Sequence, residues 1–259
     1  MKGRRIKAGF GRGKALVSTV PLSFLGGVDP ATGKVLDPES EAAGESVSGT
    51  VLCFPYGKGS TVGSYSMYQL KLNGEGPAAI VNWSAEPIVA TGAIMAEIPM
   101  VDRVDVALFR KDDDIIVDAS EGTVEIVGVE ERHVVTNILL RKGKVLLLRR
   151  SDSVGSFRGK WAGVSGFIEA HEGAEEAARR ELAEEAGLID AKLLRSAETE
   201  RFRDGQIVWC VHPFLFEAKS ASIKMDWEHQ AYEWVAQEDI GAYPTVPGLQ
   251  KIVCKLLEK

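Results

Sequence analysis

Between Gly166 and Leu188 the chain reads GFIEAHEGAEEAARRELAEEAGL, with seven glutamates and two arginines in one short window. At 100° per residue, Glu181, Glu184 and Glu185 stand at i, i+3 and i+4 and share one face of a helix. Like charges so placed oppose helix formation by a few tenths of a kcal/mol, roughly, for each pair. A hard divalent cation removes that conflict, because it takes oxygen ligands and bridges carboxylates to phosphate. A solvated acidic face partnered by Arg179 and Arg180 is the plainer alternative. A second stretch, Gly57-Lys58-Gly59-Ser60-Thr61-Val62-Gly63-Ser64-Tyr65, combines glycines with hydroxyls. Such a loop brings backbone N–H groups and a serine close to an anion, although it fits neither a P-loop nor GxGxxG. A glycine-rich turn before a helix is the alternative there.

The elements that must position these residues change character along the chain. Up to about residue 128, strand-like runs (KALVST, GTVLCF, AAIVNW, GAIMAEIPMV, DIIVDA, TVEIV) alternate with turn signals, and SYSMYQLKLN is the helix candidate. Beyond residue 129, HVVTNILL and KVLLLRR read as strands joined by a turn at Arg141 to Lys144, followed by extended WAGVSGFIE. GAEEAARRELAEEAG favours helix, with Gly187 where a C-terminal cap belongs. AKLLRSAE, QIVWCVHPFLFEA and YEWVA continue a sheet, and LQKIVCKLL is an amphipathic helix. The expected class is α/β in two domains, 1–128 and 129–259.

Of 259 residues, 45% are hydrophobic and 26% charged, with a net charge of −6, which fits a globular chain and excludes a disordered one. Lys+Arg against Asp+Glu is 12 to 16 before residue 129 and 19 to 21 after it, so neither half is a basic nucleic-acid binder. Cys53, Cys210 and Cys254 are far apart, without metal-site spacing, and read as reduced thiols of a cytoplasmic protein. ALVSTVPLSFLGG follows a basic N-terminus but is broken by Pro21, Ser18, Thr19 and Ser23, so neither a signal peptide nor a membrane span is expected. The basic residues there, Arg4 and Arg12 among them, are either a solvated terminus or an attractor for a phosphorylated substrate.

Gly166, Glu172 and then Arg180-Glu181-Leu182-Ala183-Glu184-Glu185-Ala186-Gly187-Leu188 match the Nudix box GX5EX7REUXEEXGU at every fixed position. The chain from about residue 130 therefore resembles the Nudix hydrolases. That resemblance implies an α/β/α sandwich and Mg²⁺ or Mn²⁺ held by Glu181, Glu184 and Glu185, with Gly166, Glu172 and Arg180 in support. It also implies hydrolysis of a diphosphate bond. Glu228, in DWEHQ, is a candidate general base or an exposed loop acid, and Arg149 and Arg150 are candidate phosphate contacts or solvated strand ends. Isopentenyl diphosphate isomerases share the fold but use a cysteine, and none lies near this box in the sequence.

PLSFLGGVDPATGKVLD, GESVSGTVLCFPYGKGSTVGSY and GPAAIVNWSAEPIVATGAIMAEIPMVD closely resemble the small subunit, or swivel domain, of the aconitase X family. Archaeal members join a large subunit to form phosphomevalonate dehydratase. The resemblance implies a swivelling β/β/α domain, an archaeal source, and Ser60 as the base that removes a proton beside a carboxylate. Gly59 belongs to its loop, and the amides of Gly63 and Ser64 are candidate donors to its alkoxide. It further implies a separate large subunit that carries the iron-sulfur cluster, since this chain has no cysteine trio. The combined expectation is a dehydratase small subunit fused to a metal-dependent diphosphate hydrolase, acting on phosphorylated small molecules. A hydrolase for an isoprenoid diphosphate, a diphosphate-sensing regulatory module, and a housekeeping ADP-ribose or nucleotide pyrophosphatase are the open readings of the second half.

Overall fold

The computed structural model describes residues 1–258, and the chain forms two compact units that meet in sequence at Val129 and Glu130. In the first unit the strands are β1 (Arg4–Lys7), β2 (Phe10–Val17), β3 (Val51–Phe54), β4 (Ala79–Asn82), β5 (Met100–Asp102), β6 (Asp114–Asp118) and β7 (Thr123–Ile126). They form one sheet in the order β1-β5-β4-β3-β2-β6-β7, parallel from β5 through β2 and antiparallel at both edges. Strands β3 and β4 are buried on both faces, which is why VLCF and AIVN read as continuous apolar runs. Leu52, Phe54 and Ile80 pack with Met67 and Leu70 of α1 (Gly63–Leu72) and Val89 and Ala93 of α2 (Pro87–Met95). Val51, Cys53 and Val81 pack on the other side with Ile115 and Val117 of β6 and Val124 and Ile126 of β7.

One sequence expectation is overturned here. GAIMAEIPMV reads as a strand, yet its first four residues close helix α2, and strand begins only at Met100. Glu86 accepts hydrogen bonds from the Ile88 and Val89 amides at 2.7 Å each, and Pro87 opens the helix with φ already set. Those two local signals decide a segment whose unbroken hydrophobicity hides any period.

The second unit is a single mixed sheet between two helices, an α/β/α sandwich. Its strands are β8 (Glu130–Arg141), β9 (Lys144–Arg150), β10 (Trp161–Ala162), β11 (Val164–Phe167), β12 (Lys192–Ser196), β13 (Glu200–Asp204), β14 (Ile207–Glu217) and β15 (His229–Ala236). Central β8 pairs in parallel with β14 and antiparallel with β9 and β11, while β13 forms a hairpin with β14. Helix α3 (Ala174–Ala186) lays Ala177, Ala178, Leu182 and Ala186 against Val135, Leu139, Phe214 and Phe216. Helix α4 (Leu249–Leu257) lays Leu249, Ile252, Val253 and Leu256 against Ile138, Leu147, Val211 and Leu215 on the opposite face. Along β8 and β14, alternate residues thus serve the two faces, as the strand period of two requires. Among the described residues, no helix is long and apolar enough to cross a membrane.

Candidate functional site

Helix α3 is closed at both ends by its own sequence. Glu176 reaches back to the Gly173 amide at 2.7 Å, and Gly187 ends the helix at φ 67°. This fixes the rotation that turns Glu181 and Glu185 inward, at 8% and 4% exposure, and leaves Glu184 outside. Glu181 lies directly on Gly166 of β11. A Cβ built at Gly166 would stand 1.8 Å from Glu181 Oε1, so only glycine admits the carboxylate. The Ser165 amide donates to Glu185 Oε2 at 3.2 Å, and the Nε2 of fully buried His229 lies 3.9 Å from the same oxygen. Asp226 takes the other side of that ring, at 3.0 Å from Nδ1.

Arg180 ties the remaining acids together. Its guanidinium grips Glu172 by two bonds (2.7 and 3.2 Å), reaches Glu181 at 2.6 Å and Glu184 at 3.1 Å, and donates to the Phe167 carbonyl at 3.0 Å. That fork holds the Glu172 carboxyl below its ordinary range. Burial pushes Glu185 up to about 9, helped by the charge of Glu181 and opposed by the Ser165 amide. Glu181 is raised for the same first reason, with Arg180 opposing and Glu184 and Glu228 reinforcing. Glu181 and Glu185, buried carboxyls that resist ionisation, together with exposed Glu184 and the backbone of β11 at Gly166, offer the all-oxygen donor set a hard divalent cation requires. Glu181, Glu184 and Glu185 therefore fit Mg²⁺ or Mn²⁺.

These groups open onto a cavity of about 330 Å³, within the range of small-molecule sites. Its lining includes the polar residues Arg150, Glu228, Arg180, Glu181 and Glu185 with Gly166, and the aromatic residues Phe167, Phe202 and Trp209. Phe202 and Trp209, partners in the β13–β14 register, stack at 6.4 Å and 20°, and Phe167 meets the indole at 6.1 Å. Trp209 Nε1 is buried and has no acceptor among the described residues.

In the first unit, Ser60 is exposed on a loop between β3 and α1, next to Gly59 at φ 105°. The Val62 amide points at Ser60 Oγ from 3.3 Å. Gly63 and Ser64 do not serve as expected: their amides donate to the carbonyls of Ser60 and Thr61 at 2.9 and 3.2 Å, because both belong to the turn that opens α1. The Ser64 hydroxyl is spent on the Ile88 carbonyl, and Lys58 is held by Asp37 at 3.0 Å. Exposed Tyr56, Val62, Tyr65 and Trp83 lie on the segments that leave β3 and β4 and start α1.

Comparison with known proteins gives two families in sequence order. Residues 1–126 match the aconitase X swivel domain and residues 131–256 match the NUDIX domain. The phosphomevalonate dehydratase small subunit of Thermococcus sibiricus is 59% identical over 126 residues, 49% of this chain and 97% of the relative. The chain belongs to the aconitase X swivel family. Its swivel domain is followed by a Nudix fold. Among solved structures, Thermococcus kodakaraensis aconitase X in its holo-form is 56% identical, covering 49% of this chain and 96% of that one, at a TM-score of 0.48. The MutT protein of Methanosarcina mazei Go1 is 26% identical over 49% of this chain and 94% of its own, at a TM-score of 0.43.

Within the Nudix fold, the structure brings Gly166, Arg180, Glu181, Glu185, Glu228 and Arg150 to one cavity, with Glu172 behind Arg180. Arg149 is not brought there: it faces away, bonded to the Gly159 carbonyl at 3.3 Å, since neighbours on a strand point to opposite faces. Glu184 stands outside the cavity lining on the exposed side of Arg180. In the swivel domain, Arg4 and Arg12 are forked onto Asp102 and Asp114. Sequence reasoning missed Asp226, His229, Phe202 and Trp209. The alternation of β13 against β14 was the available signal for the two aromatics, whereas nothing local marked the buried histidine.

Proposed function

We propose that this chain is bifunctional. Its swivel domain works as the small subunit of a phosphomevalonate dehydratase, and its Nudix domain hydrolyses the diphosphate bond of a nucleoside diphosphate derivative. The observation that carries the second half is Glu181 seated on Gly166 with Glu185 buried beside it, at the mouth of an aromatic-walled cavity. A hard divalent cation held by Glu181, Glu184 and Glu185, with the Gly166 carbonyl alongside, would supply charge neutralisation at phosphate and a water of lowered pKa.

The chain's own residues do the rest. Arg150 meets a phosphate oxygen, and Glu228 accepts the proton of the attacking water as oxygen bonds to phosphorus and the bridging P–O bond breaks. Arg180 holds Glu181 in place while neutralising Glu172. The Phe202–Trp209 stack offers flat faces to a planar ring, and an acceptor on such a ring would satisfy Trp209 Nε1. A buried donor left unmatched costs about 1–3 kcal/mol, which a prenyl chain could not recover. This favours a nucleotide over an isoprenoid diphosphate.

For the first half, identity of 59% over nearly the whole relative supports the assignment. Ser60 removes the proton beside the substrate carboxylate, and Val62 is the amide placed to stabilise its alkoxide. No histidine or carboxylate is bonded to Ser60 among the described residues, and the exposed aromatics beside its loop are apolar surface of the kind a partner covers. The missing groups, with the iron-sulfur cluster, belong on a separate large subunit that docks there.

Phosphorus NMR of the chain with Mg²⁺ and, in separate tubes, ADP-ribose and isopentenyl diphosphate tests the hydrolase. AMP from ADP-ribose, absent with Glu184→Gln, is expected. Phosphate release from isopentenyl diphosphate alone would overturn the nucleotide reading, and silence in both tubes would refute hydrolysis of either class.

A further inference from the structure

A second constellation of ligating atoms lies on the other face of the sheet from the cavity. On β8 and β14 the residues lining the cavity are Val134, Thr136, Trp209 and Val211. Their neighbours Glu131, His133, Cys210 and His212 therefore point to the α3 side, and the parallel register sets Cys210 directly beside His133. Cys210 Sγ is 3.7 Å from Glu131 Oε2, and His133 Nε2 is 4.0 Å from that same oxygen. All three ligand atoms lie within 4.8 Å of one another. A tetrahedral ion with metal–sulfur and metal–nitrogen or –oxygen bonds of about 2.3 and 2.0–2.1 Å separates its donors by roughly 3.3–3.6 Å. The triad reaches that spacing by side-chain adjustment alone.

The histidine is already set for such a role. His133 Nδ1 lies 3.0 Å from His212 Nε2, and His212 Nδ1 lies 3.2 Å from Thr199 Oγ1. With His133 protonated at Nδ1, every bond in this relay runs one way: His133 donates to His212, and His212 donates to Thr199. The lone pair of His133 is then left on Nε2, the atom that faces Glu131 and Cys210. Ligating histidines are fixed in this manner by a partner on their second nitrogen.

We propose that Glu131, His133 and Cys210 form a binding site for a borderline-soft divalent cation, Zn²⁺ by donor set, with solvent in the fourth position. Sulfur and imidazole donors select Zn²⁺ over Mg²⁺, so this site and the carboxylate site discriminate by chemistry. Binding replaces the Cys210 thiol proton, which passes to buffer. Arg201, opposite Cys210 on β13 and exposed, is a positive charge that opposes a cation here, as is the N-terminal ammonium beside Glu131, and the ion has to displace both. The site joins two neighbouring strands, so its ion would clamp β8 to β14 from the side that α3 leaves open. The proposal is independent of what the Nudix domain hydrolyses.

Cobalt titration of the full chain under saturating Mg²⁺ tests it. One equivalent of Co²⁺ should produce a thiolate-to-cobalt charge-transfer band with the visible absorption of a four-coordinate ion, displaced by Zn²⁺. The band should vanish in Cys210→Ser and persist in Cys254→Ser and Glu184→Gln. His133→Ala, at an exposed position that folding tolerates, should abolish the Zn²⁺-induced rise in Tm. His212→Phe should weaken binding about 10- to 100-fold. Absence of the band in the wild-type chain, or its survival in Cys210→Ser, would overturn the site.

Discussion

The carboxylate site and the Ser60 loop differ in how much of their own chemistry they hold. Around Glu181 and Glu185, every acid is fixed by a second group: Gly166 by close approach, Ser165 by its amide, Arg180 by its fork. Ser60 has one amide near its hydroxyl and open surface around it. Preorganised groups around reacting atoms carry most of a catalytic effect, so in the role proposed for it a serine so lightly attended is half of a site. On the functions proposed, one chain thus joins a hydrolase built to act alone to a subunit built to be completed.

The sharpest way to break that contrast is Ser60→Ala. Reconstituted with a large subunit, the variant should lose dehydration to background while its diphosphate hydrolysis is unchanged. Equal damage to both activities would mean that the two sites are not separable. Next in size is Gly166→Ala, which drives a methyl into the Glu181 carboxylate. Hydrolysis should fall about 100-fold, the penalty of displacing a catalytic group by an ångström, with circular dichroism and dehydratase activity retained. Smaller again is Trp209→Ala. Stacking on an aromatic contributes about 1–3 kcal/mol per base, so KM for ADP-ribose should rise roughly tenfold with kcat nearly kept. An unchanged KM would remove the aromatic wall from the substrate site.

The two sites also differed in how far the sequence announced them. The box was legible because its chemistry is local: Glu181, Glu184, Glu185 and Arg180 lie within two helical turns, and their geometry follows from the period. What completes the cavity comes from far along the chain, through a hairpin register that places Phe202 beside Trp209 and a loop that buries His229 against Glu185. Neither is a property of a short window. At the Ser60 loop, glycines and hydroxyls mark the stretch in sequence, but the amides of Gly63 and Ser64, expected to be available, are committed to the turn that starts α1. In α2 the reverse held, since Glu86 and Pro87 were visible caps that an apolar run obscured.

The smallest effect probes the self-sufficient site most directly, through its protons. With Glu185 raised to about 9, the folded metal-free protein keeps a proton that the unfolded chain releases near pH 4.3, roughly the value for an unperturbed glutamate. Between those two values the native state binds more protons than the unfolded state. Stability in chelator should therefore be greatest below about pH 4.3 as far as this group is concerned, and fall as pH rises toward about 9. A bound divalent cation reverses the sign, because it takes the ionised carboxylate and is favoured as the proton leaves. Urea unfolding followed by tryptophan fluorescence reads the relevant unit, since four of the five tryptophans (Trp161, Trp209, Trp227 and Trp234) lie in it. The expected result is a midpoint that drops with rising pH in chelator and recovers with Mg²⁺ by more at high pH than at low. Glu185→Gln should flatten both slopes, because glutamine has no proton to give up and no charge to offer the cation. A slope that survived in Glu185→Gln would move the buried proton elsewhere, and Glu181, likewise raised by burial, would then be the group to substitute.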